Sequence, residues 1–281
     1  MYIIINFPKI SIVTPNYNQT NFIEQTLQSV IKQDYPHIEY IVIDGGSTDG
    51  SLDIIKKYED KLHYWISEKD NGMYDAINKG FARSSGDIMC WINSDDILAK
   101  GALKYIAELF TNHNKVQWLM GYPTLIDEKS EITWQGQDAQ VFSPYFFYLH
   151  NHLRNFSFIQ QESTFWTRTL WNKAGGSLNL KYSMASDFDL WLRFFKYEKL
   201  YFSHQQLAAF RRRKGQLSEN QEKYLIETNL AVSKNQKTLP VHNKLNIFIL
   251  KILRKILFSL KIKNTYYLMF SKILGTPNWI D

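Results

Sequence analysis

An α/β fold, with a mostly parallel sheet, helices on its faces and a helical extension at the C-terminal end, is predicted by three observations. Short β-branched runs alternate with longer stretches of helical periodicity through the first half, as in βα units that build a parallel sheet. Several of these runs stop at clusters of Asp, Gly, Ser and Asn, residues suited to strand ends and helix caps. The chain has 281 residues, 44% hydrophobic and 21% charged, with 13 Gly and 7 Pro. That is enough to bury a core, and it excludes a disordered, collagen-like or low-complexity chain.

The elements follow in order. Ile10 to Thr14 reads as the first strand, ended by Pro15. Asn21 can cap a helix whose Phe22, Ile23, Leu27, Val30 and Ile31 recur at helical spacing. Tyr40 to Ile43 is a second strand closing on Asp44, Gly45 and Gly46, after which Ser47, Thr48 or Asp49 caps a helix reaching Tyr58. Leu62 to Ile66 is a third strand, Met73 to Arg83 a helix, and Asp87 to Ile92 a fourth strand closing on Asn93, Ser94, Asp95 and Asp96. Ala99 to Phe110 is again helical. Beyond Val116 the pattern loosens. Trp118 to Tyr122, Ile132 to Trp134 and Phe158 to Trp166 read as strands, Phe142 to His152 has no assignment, and a helix from Ser186 or Asp187 reaches Tyr197.

One cysteine, Cys90, excludes an intramolecular disulfide, a Cys-rich zinc site and an iron–sulfur cluster, and it fits a reducing compartment. Met1 to Phe7 has neither the basic start nor the length of an export signal. No run of 18 uncharged apolar residues suggests a transmembrane helix. The net charge of +6 is unevenly placed: the segment from Thr228 onward carries +8, and the first 227 residues carry −2. A mildly acidic body with a basic tail argues against nucleic acid as the partner. The expected division is therefore residues 1–227 as a catalytic domain and 228–281 as a basic tail.

Acids at strand ends carry the chemistry, because open α/β sheets bind ligands outside the carboxyl ends of their strands. Asp44 and the pair Asp95 and Asp96 lie there. Asp44 can equally be an ordinary turn residue. Adjacent strand residues face opposite ways, so only one of Asp95 and Asp96 is expected to hold a metal. A hard ion such as Mg²⁺ or Mn²⁺ needs few protein carboxylates when phosphate oxygens complete its shell.

The runs Ile12-Val-Thr-Pro-Asn-Tyr-Asn, Val42-Ile-Asp-Gly-Gly-Ser-Thr-Asp-Gly, Ser67-Glu-Lys-Asp-Asn-Gly-Met-Tyr-Asp-Ala-Ile-Asn-Lys-Gly and Asn93-Ser-Asp-Asp, with Gly86-Asp between the last two, resemble the inverting family 2 glycosyltransferases. The resemblance covers Lys9 to Phe110 well and reaches Phe210 more loosely. It implies a GT-A fold, a mixed sheet flanked by helices, with a nucleotide sugar, most often UDP-linked, as donor and a divalent metal as cofactor. It places Pro15, Asn16 and Tyr17 beside the nucleotide, Asp44 on the base, Asp70 in the nucleotide pocket, Asp95 on the ribose or sugar, and Asp96 on the metal. On that footing Asp96→Ala should abolish turnover and spare the fold. Asn93 replaces a commoner aspartate, and Tyr74 a smaller residue.

Glycosyl transfer needs a base for the acceptor hydroxyl. Asp187, in Ala185-Ser-Asp-Phe-Asp-Leu-Trp, matches the family's base aspartate. Asp189 competes with it, and Asp187 can also be read as a helix cap. The departing diphosphate needs cations, which Arg211 and Arg213 could supply from a loop that also reads as a solvated basic turn. Glu162, on the strand expected before Trp166, is a candidate for acceptor hydroxyls or for a structural ion pair. Most of the aromatic residues, including Trp134, Tyr145, Phe147, Tyr148, Trp166 and Trp191, are expected in the core, and the seven histidines have no metal-ligand spacing.

From Lys244 to Ile262, Ile249, Ile252, Leu253, Ile256, Leu257 and Leu260 share one helical face, with Lys244, Lys251, Arg254, Lys255 and Ser259 mostly opposite. This basic amphipathic helix either lies on an anionic membrane or packs back on the domain. The expectation is a cytoplasmic enzyme, peripheral at the inner face of the membrane, moving a sugar to a lipid-linked saccharide for a surface polysaccharide. A sugar nucleotidyltransferase would show a Gly-x-Gly-Thr-Arg signature, which is absent. A non-catalytic sugar-nucleotide binder would lack the base position.

Overall fold

The computed structural model describes residues 7–136, 144–149, 159–259 and 278–280. Its main sheet has eight strands. β1 (Ile10–Asn16) lies near the middle, with β2 (Ile38–Asp44) and β3 (Tyr64–Ser67) to one side and β4 (Ile88–Trp91) to the other, all parallel. All seven residues of β1 are buried, as expected of a strand covered on both faces. α1 (Ile23–Ile31), α2 (Ser51–Lys57) and α3 (Met73–Arg83) connect these strands, as the alternating pattern predicts.

Pro15 does not end the first strand. The strand runs on to Asn16 in register with Asp44, while its pairing with β4 stops at Val13. Along β1 the Val13 carbonyl bonds toward β4 and the Asn16 carbonyl toward β2. The missing N–H of Pro15 therefore points to the side where no partner strand continues. Asn21 does not cap α1, whose N-cap is Phe22. Asp49 does tie the start of α2, accepting from the N–H groups of Ser51 at 2.9 Å and Thr20 at 2.8 Å.

Past β4 the sheet turns mixed. After β5 (Ile97–Leu98) and α4 (Ala102–Asn112), β6 (Trp118–Met120) pairs antiparallel with β9 (Thr164–Thr167), which also lies antiparallel to β4. β10 (Tyr201–Phe202) and β12 (Asn278–Trp279) extend the edge. A smaller sheet has the order β5, β11 (Ala208–Arg211), β7 (Thr124–Ile126), β8 (Ile132–Gln135). Gln161–Ser163 form a 3₁₀ turn where the sequence predicts a strand. There the Gln160 amide bonds both backbone groups of Thr124 (2.8 and 3.1 Å), and Gln161 Nε2 donates to the Trp91 carbonyl at 2.6 Å. Side-chain amides do what a strand ladder would otherwise do. Phe158, the expected strand start, lies outside the described residues, as do residues 1–6, 142–143 and 150–152.

α5 (Pro144–Tyr148) and α6 (Arg168–Lys173) precede α7 (Ser186–Phe194). Trp191 of α7 packs among Trp91, Trp118 and Trp166, all buried, with ring centroids 5.5–6.1 Å apart. Truncating one such ring typically costs about 3–5 kcal/mol, so this cluster fixes α7 on the sheet. Phe147 and Tyr148 are also core, whereas Trp134 is exposed.

α8 (Gln221–Lys237) and α9 (Val241–Ser259) complete the described chain up to residue 259. The expected boundary at 227/228 falls inside α8, whose Glu227, Ala231, Val232 and Asn235 are buried. α9 buries Ile247 and Leu250, and Arg254 Nη1 donates to the Leu149 carbonyl at 2.8 Å. The helix therefore packs on the body through a different face from the one the sequence singled out. Leu260 and the Leu257 side chain lie outside the description.

Candidate active site

The tips of β1 and β2 form one hydrogen-bonded unit. Asp44, fully buried, accepts from Asn16 Nδ2 (2.6 Å), Ser47 Oγ (2.5 Å), Ser67 Oγ (2.6 Å) and the N–H groups of Gly46 (3.1 Å) and Ser47 (2.9 Å). Burial alone would raise its pKa, but these donors hold it below the ordinary carboxylate value. Asn16 Oδ1 is buried without a partner, and Tyr17 is 61% exposed just beyond. Asp70 presses on the same turn: a Cβ on Gly45 would come within 2.7 Å of its Oδ2. The residues expected around a nucleotide, Pro15, Asn16, Tyr17, Asp44 and Asp70, are thus brought together, with Asp44 facing its own loop.

The tip of β4 separates Asp95 from Asp96. Asp96 is fully buried, its Oδ1 on the Arg211 N–H at 2.8 Å and its Oδ2 on Asn93 Nδ2 at 3.1 Å. Burial and then the negative charges of Asp95 and Glu162 push its pKa well above the usual range, against the pull of those two donors. Asp95 is the more accessible acid, and its Oδ2 accepts from Arg213 Nε at 2.8 Å and Gln216 Nε2 at 3.4 Å. The expected places of the two arginines also diverge. Arg211 is fully buried, with Nε on the Asp95 carbonyl (2.7 Å), Nη1 on the Asp127 carbonyl (2.8 Å) and Nη2 on Gln25 Oε1 (2.8 Å). It staples the crevice wall and is not placed to meet a diphosphate. Arg213 lies at the opening, on a loop whose Gly215 has φ +81°.

On the far wall, α7 presents Asp187 and hides Asp189. Asp189 is buried, bonded by Asn235 Nδ2 at 2.9 Å and Arg193 Nε at 3.0 Å. Asp187 is only partly buried. Its Oδ1 accepts from the Phe188 N–H at 2.7 Å and the Tyr74 hydroxyl at 3.3 Å, and among the described residues its Oδ2 has no hydrogen-bond donor. Desolvation raises its pKa to about 6, against those two hydrogen bonds. Two residues apart on a helix, the acids point different ways, so only Asp187 offers a free carboxylate oxygen.

Glu162 lies between the two walls, buried, with Oε1 unpartnered. Desolvation first, and then the charges of Asp187 and Asp95, raise its pKa to about 8. Among the described residues it makes no ion pair. Because its folded pKa lies above the unfolded value of about 4.3, its contribution to stability is complete below about pH 4 and is lost as pH rises toward 8. Glu162→Gln is expected to melt several degrees above the parent at pH 8 and level with it at pH 4, on a scale of roughly 2–4 °C per kcal/mol. Equal melting temperatures at both pH values would contradict this.

Sequence reasoning missed Ser47 and Ser67 as partners of Asp44, and Glu227, which accepts from the N–H groups of Ser183, Met184 and Ala185 at 2.8–3.0 Å and so anchors the start of α7. The Ser47 contact is local, three residues from Asp44, whereas no local pattern signals those of Ser67 and Glu227, which span 23 residues or more. Among the described residues, no group of three or more His, Cys, Asp or Glu is set to hold a metal.

The mixed sheet flanked by helices is the GT-A fold, shown by its likeness to the solved structure of S. aureus TarS described below. The chain belongs to glycosyl transferase family 2, whose sequence profile matches residues 11–175. It is similar to a Bacillus subtilis (strain 168) protein described provisionally as the teichuronic acid biosynthesis glycosyltransferase TuaG, at 33% identity over 128 residues, 44% of this chain and 51% of that protein. The chain thus spans about half the length of that relative. Among solved structures it resembles S. aureus TarS 1–349 in complex with UDP-GlcNAc, with TM-score 0.68 and 19% identity over 90% of this chain and 76% of that one. It also resembles the mannosyltransferase PcManGT from Pyrobaculum calidifontis in complex with GDP-Man and Mn²⁺, with TM-score 0.57 and 17% identity over 78% and 61%.

Proposed function

We propose that the protein is an inverting, metal-dependent glycosyltransferase that moves a sugar from a nucleoside-diphosphate donor, UDP-linked in the first instance, to a hydroxyl of a lipid-linked saccharide in surface-polysaccharide assembly. The observation that carries this reading is Asp187, whose Oδ1 is tied and whose Oδ2 is free, across Glu162 from Asp95. The acceptor oxygen bonds to the anomeric carbon as the carbon–phosphate oxygen bond breaks. The hydroxyl proton goes to Asp187 Oδ2, and the electron pair leaves on the diphosphate. The complexes of TarS with UDP-GlcNAc and of PcManGT with GDP-Man and Mn²⁺ support the donor class, and the role described for TuaG supports the acceptor class.

The donor pocket fits a nucleotide. Asn16 Oδ1, buried and unpartnered, suits the imino N–H of a uracil or guanine, and Tyr17 offers a ring to stack on. The metal assigned from sequence to Asp96 fits Asp95 better, because Asp96 has both oxygens engaged while Asp95 already draws a cation, Arg213. A divalent ion there would offset the charge developing on the diphosphate. Arg213 is the side chain placed to assist it. A thermal-shift panel of UDP-, GDP- and dTDP-sugars with Mn²⁺ should single out one donor, which is then transferred or hydrolysed. No shift and no turnover with any donor would refute the reading.

Membrane attachment belongs to the same proposal. No described helix is long and apolar enough to cross a membrane. Of the sixteen large apolar side chains exposed among the described residues, nine lie on α8 and α9. Leu245, Ile249, Ile252 and Ile256 form one stripe of α9 opposite the buried Ile247 and Leu250. Lys244, Lys251 and Lys255 flank it, and no acidic residue lies between Thr228 and Ser259. Each such lysine adds about 1 kcal/mol at an anionic surface. The protein is expected to co-sediment with vesicles rich in phosphatidylglycerol at low salt and to detach at high salt. Equal recovery with neutral vesicles, or no binding, would contradict this.

A further inference from the structure

We infer that Tyr74 is a positioning residue for Asp187, tying one carboxylate oxygen so that the other faces the acceptor and linking the donor loop to the base. This rests on the proposed role of Asp187 as base. Tyr74 stands in the first turn of α3, four residues after Asp70. The Gly72 N–H donates to Asp70 Oδ1 at 2.8 Å, Gly72 has φ +103°, and the Asn71 N–H donates to Asp75 Oδ2 at 3.0 Å. This turn sets the direction of the first helical residues, and from it Tyr74 reaches across the crevice, buried, to place its hydroxyl 3.3 Å from Asp187 Oδ1.

A phenylalanine would fill the same space, so burial of the ring does not account for the hydroxyl. The contact spans 113 positions and joins the helix after the donor loop to the helix that carries the base. Burial, followed by the nearby charge of Asp187, pushes the phenol's own acidity far from neutrality, so it remains a donor at working pH. The other groups that bear on Asp187 are the Phe188 N–H on its own helix, Glu227 and Tyr224 on α8, and Glu162 at the turn before β9. Tyr74 is the side-chain hydroxyl among them that bonds the carboxylate.

The test is Tyr74→Phe in the full chain, beside Asp187→Asn. With the donor and acceptor that support turnover, kcat for Tyr74→Phe should fall about tenfold, the usual weight of a hydrogen bond to a charged acceptor, with donor KM unchanged. A hydrogen bond to the ionised form lowers a carboxyl pKa. Its loss should therefore move the acid limb of the kcat profile upward from about 6. UDP affinity by calorimetry should hold, with at most a small fall in melting temperature, because the hydroxyl oxygen also faces the N–H groups of Ser186 and Asp187 at the start of α7. Unchanged kcat, a fall in kcat with an unmoved acid limb, or loss of UDP binding together with stability would each overturn the inference. If Asp187→Asn keeps full kcat, the base assignment fails and this inference with it; if Asp187→Asn is inactive and Tyr74→Phe is silent, only the inference fails.

Discussion

Asp187→Asn is expected to lower kcat by about 10²–10⁴, the usual contribution of a positioned general base, while leaving donor KM close to the parent value. The amide keeps the shape of the carboxylate and its contacts with the Phe188 N–H and Tyr74, but it cannot accept the hydroxyl proton. Parent kcat should fall as pH drops through about 6, where Asp187 takes up a proton, and the residual activity of the variant should lack that limb. Asp189→Asn provides the contrast. Its carboxylate is spent on Asn235 and Arg193, so its loss should appear as a lower melting temperature with the pH profile intact. Steady-state kinetics across pH 5 to 8 separate the two, and unaltered kcat in Asp187→Asn would move the base elsewhere.

Asp95→Asn is expected to weaken Mn²⁺-supported donor binding by at least the roughly 10–100-fold that follows loss of a mere hydrogen-bond partner of a metal ligand, and to abolish turnover without unfolding the protein. Among the described residues, the side chains that donate to the Asp95 carboxylate are Arg213 and Gln216, both on one loop. Asp96→Ala should behave differently. It strands the Arg211 N–H inside the protein, at about 1–3 kcal/mol for a buried group left unpaired, and frees the partly buried Asn93 amide. The sequence alone predicts a spared fold for that variant; the structure predicts a destabilised one. Calorimetry with Mn²⁺ and UDP, paired with melting curves, decides between the two acids. Normal metal affinity in Asp95→Asn would contradict the assignment.

The parallel half of the molecule was legible because β1, β2 and β4 are buried on both faces and read as apolar runs, and because Asp, Gly and Ser close them at Asp44 and Asp95. The candidate donor pocket was legible for the same reason: strand tips gather there whatever the later topology. What the sequence could not reveal was direction. Pattern alone establishes that Asp95 and Asp96 diverge, and only the backbone shows that Asp96 turns inward onto β11. Arg211 and Arg213 are two residues apart with the same charge, yet one is a buried staple and the other stands at the opening. The turn at Gln161–Ser163 was misread because side-chain amides, invisible to periodicity, replace strand pairing. In α9 the amphipathic pattern was real, but two apolar faces compete, and Ile247 and Leu250 take the contact with the body.

The most direct test of the central claim is the anomalous difference density of Mn²⁺ in crystals of the full chain soaked with UDP and manganese. The account predicts a peak in direct contact with the Asp95 carboxylate, bridging to the diphosphate, with the base moiety beside Asn16 and Tyr17 and Asp187 across the crevice. A peak remote from Asp95, or a nucleotide outside that crevice, would contradict it.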